Sequence, residues 1–307
     1  MAETTVDEKF EIIGCENSDS EKIVRPTMTY WQDAWRRLKS NNVAMISIVI
    51  LIALVVMTII GPHLTPYTHE EMIVEERNMA PSSEHWFGTD ELGRDIFTRV
   101  WKGGRVSMLI GVVGAFVASF VGCIYGGIAA YFGGTVDDIM MRIVEILVSI
   151  PYLIVVILIS VLTRSKGMGS ILLALCITGW CGTARLVRGQ ILQLKEKEFV
   201  IAAKALGVSD WKIITRHLIP NTLGIIIVSI TFDIPGFIFS EAFLSYIGLG
   251  VQSPDTSWGA MASAAQNNLM FYPYQLFFPA LMIALTMLAF SLLGDGLRDA
   301  LDPRLRQ

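Results

Sequence analysis

The chain has 307 residues, 53% hydrophobic and 17% charged, with a mean hydropathy of +0.54. Soluble domains run nearer a quarter charged, and residues 106–136 and 256–294 contain no Asp, Glu, Lys or Arg, which argues against a soluble globular domain and for a polytopic membrane protein. The net charge of −4 and pI of about 5.6 give no basic footprint for nucleic acid.

Residues 1–27 are polar, with an acidic stretch from Glu3 to Glu21. They read as a disordered cytoplasmic tail and not as a secretory signal, which opens on basic residues. Over 28–42, Trp31, Ala34, Trp35 and Leu38 fall at i, i+3, i+4, i+7 beside Arg36, Arg37 and Lys39. That pattern predicts an amphipathic helix in the headgroup layer of a lipid bilayer. Six apolar spans follow, at 43–61, 106–130, 139–162, 168–187, 222–246 and 276–294. The fold class is therefore all-α integral membrane. An outer loop covers 62–105, a cytoplasmic loop 188–221, and a cytoplasmic tail 295–307. With the N-terminus inside, cytoplasmic segments hold 17 of the 24 Lys and Arg residues, so the spacing predicts N-in, C-in.

The second span carries Ala118, Gly122 and Gly126 at spacing four, a ladder of small residues suited to close helix packing. Pro151 and Pro235 interrupt the third and fifth spans and are expected to free the carbonyls of Leu147 and Thr231. Three acids lie within spans: Glu145, Asp233 and Glu241. Ionisable groups at membrane depth face a cavity or a partner. Asp233 and Glu241 stand roughly 80° apart around a helix, so they are candidates to border one cavity, with Glu145 and Pro235 as further candidates for a translocation path. Helix packing or hydrogen bonding to neighbours is the competing reading of the acids, and a seat at the outer interface is a further reading of Glu241.

Catalytic chemistry is not evident. No Gly-Lys dipeptide occurs, so there is no phosphate loop of the GxxxxGK[ST] form, and no Gly-x-Ser-x-Gly elbow occurs. His69-Glu70-Glu71 begins like a zinc-protease motif, but Ile73 stands where the second histidine belongs. The four cysteines form no Cys-x-x-Cys, which predicts neither a disulfide framework nor a metal site.

The most informative segment is 188–221. Phe199, Ala202, Ala203 and Leu206 repeat at i, i+3, i+4, i+7, with Ala205 nearby, and predict a short helix. Gly207 is placed to end it. Ser209 is placed as N-cap of a second helix with Asp210 in its first turn, and that helix is expected to stop before Pro220. The small apolar face is a knob for a groove in another protein, or a surface that packs on the chain's own membrane domain.

The spacing Ala202-Ala203-x3-Gly207-x9-His217-x-Ile219-Pro220 resembles the EAA loop of ATP-binding-cassette importer permeases, Glu-Ala-Ala-x3-Gly-x9-Ile-x-Leu-Pro. Ile201 replaces the Glu, His217 the Ile and Ile219 the Leu. Further matches over residues 30–307 are His85-Trp86-Phe87-Gly88-Thr89-Asp90-Glu91-Leu92-Gly93-Arg94-Asp95, Tyr131-Phe132-Gly133-Gly134, Ala184-Arg185-Leu186-Val187-Arg188-Gly189-Gln190, Ser245-Tyr246-Ile247-Gly248-Leu249-Gly250-Val251 and the Gly294–Pro303 segment. These resemble the oligopeptide/dipeptide/nickel branch, most of all its oligopeptide C-type subunits.

The resemblance implies a type I importer permease fold with a cytoplasmic coupling helix in the cell membrane, and a transporter subunit without enzymatic activity of its own. It implies a homologous second permease subunit, two ATPase subunits that bind ATP and Mg, an extracytoplasmic peptide-binding protein and a peptide cargo. On this resemblance Phe199, Ala202, Ala203, Ala205, Leu206, Gly207, Ser209, Asp210 and Pro220 are expected to form the segment that couples to the ATPases, with Phe199 packing below the knob. Dipeptide or nickel cargo is the alternative within the branch. An ion-coupled secondary transporter using the intramembrane acids, or a receptor docking through the loop, is the alternative outside it.

Overall fold

The computed structural model describes residues 29–163 and 167–302. The expected tail over 1–27, and residues 303–307 of the expected C-terminal tail, lie outside the described residues. The helices are α1 (Tyr30–Ser40), α2 (Asn42–Ile60), α3 (Ile96–Phe132), α4 (Gly134–Ser149), α5 (Tyr152–Thr163), α6 (Met168–Leu194), α7 (Glu198–Ala205), α8 (Asp210–Lys212), α9 (Ile219–Tyr246), α10 (Trp258–Ala265) and α11 (Tyr274–Leu301). Five helical segments are long and apolar enough to cross a membrane, or six if the bent pair α4–α5 is one span.

That pair departs from the sequence expectation of one span over 139–162. Its two helices are bent by 84°. Pro151 is the cause, because the residue before a proline is pushed out of the α region, and Ile150 is extended at φ −80°, ψ 123°. The Leu147 carbonyl, expected to be free, accepts the Ile150 amide at 3.3 Å. α3 also begins ten residues before the expected second span, at Ile96. Two of its early arginines reach backbone carbonyls: Arg105 donates to those of Thr58 and Ile59, and Arg99 to that of His69. α11 continues past the expected end at 294 to Leu301.

α3 is the axis of the packing. Its Gly122 and Gly126 lie against α6 so closely that a Cβ would sit 2.7 Å from the Trp180 carbonyl oxygen and 2.2 Å from that of Ala184. Gly111 and Gly114 admit Ile238 and Phe237 of α9 in the same way. A central core of Ile110, Ala115, Ala118, Val156, Ile171 and Ile238 fills the space between these helices.

Both ends of the bundle are defined. At one end Tyr30 of α1 donates to the Leu301 carbonyl and lies beside Gly224 of α9, while Leu38 packs with Ala44 of α2 and Ala300 of α11, and Ala34 is buried. Trp31 and Trp35 remain exposed. At the other end residues 64–95 fold over the N-terminus of α3. Asp95 caps that helix through the Thr98 amide. Its other oxygen meets His85 Nδ1 at 3.0 Å, and His85 Nε2 meets Glu76 at 3.0 Å, with Tyr67 stacked on the imidazole.

Two predictions follow the packing. Gly126→Ala overpacks the seam and costs about 1–3 kcal/mol, read as a lower melting temperature in detergent. Gly182→Ala, on α6 with open space around it, serves as the neutral control. The second concerns His85. Burial lowers its pKa, but the hydrogen bonds to Asp95 and Glu76 outweigh burial and hold the imidazole above the usual histidine range. A raised folded-state pKa gives stability that is complete below about 6.5 and is lost as pH rises through the higher folded value. Thermal stability of the wild type should fall across that window relative to His85→Gln; parallel curves would contradict it.

Candidate functional site

Two regions carry the residues singled out from sequence: the α7–α9 segment and a cleft beside α9. α7 ends as expected at Gly207. Its φ is +75°, the left-handed region that costs a residue with a Cβ about 1–2 kcal/mol. The amide of Gly207 bonds the Lys204 carbonyl and that of Val208 the Ala203 carbonyl, both near 3.0 Å, which completes a Schellman ending. Ser209 occupies the N-cap position of α8 with extended backbone, but its side chain caps no amide.

The second helix does not stop before Pro220. α8 passes into a π-helical stretch, Ile213–Leu218, and then α9, giving one helix from Asp210 to Tyr246. The wide turn explains this. Ile219 bonds the Ile214 carbonyl five residues back, so the register has already shifted where Pro220, at the start of α9, offers no N–H.

The face of α7 also differs from the expected one. Val200 and Ala203 are buried, packed with Val187, Ile191, Ile213 and Ile214. Ala203 therefore packs on the chain's own membrane domain. Phe199, expected below the knob, is exposed with Ile201, Ala202, Ala205 and Gly207, and Leu206 is 83% exposed. The run Phe199–Ala203 is apolar on every side, so spacing alone did not choose the buried stripe; the apolar floor of α6 and the π stretch did. Trp211, four residues past Gly207, is exposed as well and was not singled out from sequence.

Sequence reasoning also missed what ties the segment to α3. Tyr131 donates its hydroxyl to Asp210, and the Lys204 ammonium lies 4.7 Å from the Tyr131 ring centroid. Beside it Lys195 bonds the Ala130 carbonyl, and Arg188 makes a two-pronged pair with Asp137 at 2.6 Å for each contact. The signal was present in Tyr131-Phe132-Gly133-Gly134, where an aromatic residue with a polar tip ends a long apolar helix.

The second region is an open cleft of about 300 Å³ between α5, α6 and α9. Asp233 lines it with Gly236 and Ser240 of α9, Thr178 of α6 and Tyr152 of α5. Ser229 donates to Asp233 at 3.2 Å. Ser229, Asp233, Gly236 and Ser240 fall at i, i+4, i+7, i+11, a stripe of small and polar residues along one face of α9. Only Asp233 of the stripe was singled out from sequence; the small polar residues at helical spacing were the available signal.

The other path candidates lie elsewhere. Glu241 does not share a cavity with Asp233. It is fully buried on the packed side of α9, accepting from Ser107 and Ser245 at 2.7 Å each. Ser107 in turn accepts the Trp258 amide, so the carboxylate joins α3, α9 and α10. Pro235 is buried and does not line the cleft. Glu145 sits on an exposed face of α4, 2.8 Å from Arg142, because the bend at Pro151 turns α4 away from the line of α5.

Tyr131→Phe tests the hold on α7. It keeps the ring under Lys204 and removes a bond to a carboxylate, a loss of about 1.5–3 kcal/mol. Amide hydrogen exchange over residues 199–208 should rise roughly tenfold or more; unchanged exchange would show that another contact holds the segment.

Residues 105–307 match the family described as binding-protein-dependent transport system inner membrane component, and residues 29–81 match the N-terminal TM domain of oligopeptide transport permease C. The chain is 51% identical to the dipeptide transport system permease protein DppC of Bacillus subtilis (strain 168), over 98% of this chain and 94% of that one. It is 46% identical to the oligopeptide transport system permease protein OppC of the same organism, over 97% of each, and 42% identical to the Escherichia coli (strain K12) OppC, over 93% and 95%. Inward-facing structures of the MetNI methionine ABC transporter share the fold, with a TM-score of 0.53 at 18% identity over 66% of this chain and 94% of that one. The chain belongs to the binding-protein-dependent transport system inner membrane components, in the group of oligopeptide and dipeptide permeases.

Proposed function

We propose that the chain is one of two permease subunits of an ATP-driven peptide importer, with six spans and both termini in the cytoplasm. A homologous permease completes the path, two ATPase subunits bind ATP and Mg, and an extracytoplasmic binding protein delivers the peptide. The observation that carries this reading is the continuity of the α7–α9 segment. An exposed apolar helix meets a fixed glycine turn, and the next helix runs unbroken from Asp210 to Tyr246 past the cleft that holds Asp233.

The physical role follows. Phe199, Ile201, Ala202, Ala205 and Leu206 are the surface that seats in a groove of an ATPase. Ala203 and Val200 anchor that surface to the membrane domain, and Asp210 and Pro220 lie on the helix that carries the displacement. Closure of the ATPases shifts α7, and the stiff helix passes the shift to the cleft. The shared end of α1, α11 and the start of α9, together with the basic bias of the loops, supports the N-in, C-in arrangement. Oligopeptides are the first reading of the cargo. Dipeptides are the second, favoured by the 51% identity to a dipeptide permease.

Gly207→Val tests the coupling. The left-handed turn then costs about 1–2 kcal/mol and depopulates the docking geometry roughly 5–30-fold. Uptake of labelled peptide by cells carrying the variant should drop by about that factor, with membrane insertion unchanged. Normal uptake by the variant would refute the coupling role, and absence of any peptide uptake by the wild-type transporter would refute the cargo.

A further inference from the structure

Asp233 is the fifteenth of the 28 residues of α9, at the middle of a span. A carboxylate at that depth is expensive unless something offsets its charge. Its hydrogen-bond partner is the Ser229 hydroxyl, and among the described residues no Lys or Arg pairs with it. The contrast with Glu241 on the same helix is informative. Glu241 receives two hydroxyl donors in a closed site, whereas Asp233 opens on a cleft with room for a guest.

The lining of that cleft selects the sign and kind of the guest. Tyr152, Phe232 and Phe237 supply aromatic rings, whose faces attract cations. Thr178 and Ser240 supply hydroxyl oxygens, which accept from an ammonium. A divalent metal needs several carboxylate, imidazole or thiolate ligands, and the cleft offers a single carboxylate. A compact organic ammonium fits a lone carboxylate, hydroxyls and aromatic faces.

We infer that Asp233 takes the free N-terminal ammonium of a peptide in transit, with the Thr178 and Ser240 hydroxyls as further acceptors along the cleft. This rests on the peptide-permease reading. Every linear peptide with an unmodified terminus carries that group whatever its side chains, so one fixed carboxylate engages cargo of any sequence. The Coulomb attraction replaces part of the hydration the ammonium sheds on entering the membrane. The engagement is single and exposed to the cleft, so it holds the terminus without trapping it.

The test uses the intact transporter with its partner subunits, reconstituted in vesicles with ATP inside. A tetrapeptide and its N-acetylated form are each supplied loaded on the binding protein. Asp233→Asn should lower uptake of the free-amine peptide roughly tenfold or more, towards the rate of the acetylated one. Uptake of the acetylated peptide should stay within about twofold, and Asp233→Glu should restore the preference for the free amine. The assignment is overturned if Asp233→Asn leaves free-amine uptake unchanged or lowers both peptides by the same factor. It is overturned equally if the variant no longer co-purifies with the second permease, which would make Asp233 a partner-subunit contact. Failure of the peptide-permease reading is distinct, since the wild type would then take up neither peptide.

Discussion

The structure depends on how closely α3 approaches its neighbours. Lipid tails are as apolar as leucine, so burial drives helices together weakly inside a bilayer and packing contact has to do it. Gly122 and Gly126 let the backbone of α3 touch that of α6, and Gly111 and Gly114 let α9 bring Phe237 and Ile238 onto the same helix. α3 is 37 residues long, about 55 Å at 1.5 Å per residue. It therefore reaches from the His85–Asp95 contact to Tyr131 beside the α7 turn. Features at opposite ends of the molecule are joined by one rigid rod.

Polar groups follow a matching logic. Glu241 sits in an almost dry interior and has each oxygen met by a serine. Those serines also receive the amides of Val251 and Trp258, so the cluster stitches the start of α10 and the loop before it to α3 and α9. A buried polar network of this kind is worth having only when it is satisfied. Asp233, two turns earlier, is met on one side only. The same helix thus has one carboxylate committed to structure and one left to the cleft.

Mechanical continuity separates the α7–α9 segment from an ordinary loop. A proline at the start of a helix is tolerated because its missing amide was unpaired there anyway. The π stretch before Pro220 puts that start inside a longer rod and preserves the stiffness that a break would lose. The only sharp corner in the segment is Gly207, fixed by its backbone bonds. Tyr131 braces the corner from α3, so α7 is tied to the bundle through two helices.

The membrane class, the apolar segments, the end of α7 at Gly207 and the small-residue face of α3 were legible in the residues alone. Each of these is a local property, set by hydropathy, by spacing or by a conformation that glycine alone adopts cheaply. Tertiary structure decided the rest. Which side of α7 is buried depended on the apolar floor offered by Val187, Ile191, Ile213 and Ile214, because Phe199–Ala203 is apolar all round. Whether Pro220 ended a helix depended on a π turn that no spacing rule announces. Three acids looked equivalent in sequence, and their surroundings separated them. Glu145 was turned outward by the Pro151 bend, Glu241 was enclosed by serines from α3 and α9, and Asp233 was left facing the cleft. An ionisable residue within a span has a cost that sequence reveals, but the partner that offsets it comes from elsewhere in the chain, and only the fold brings the two together.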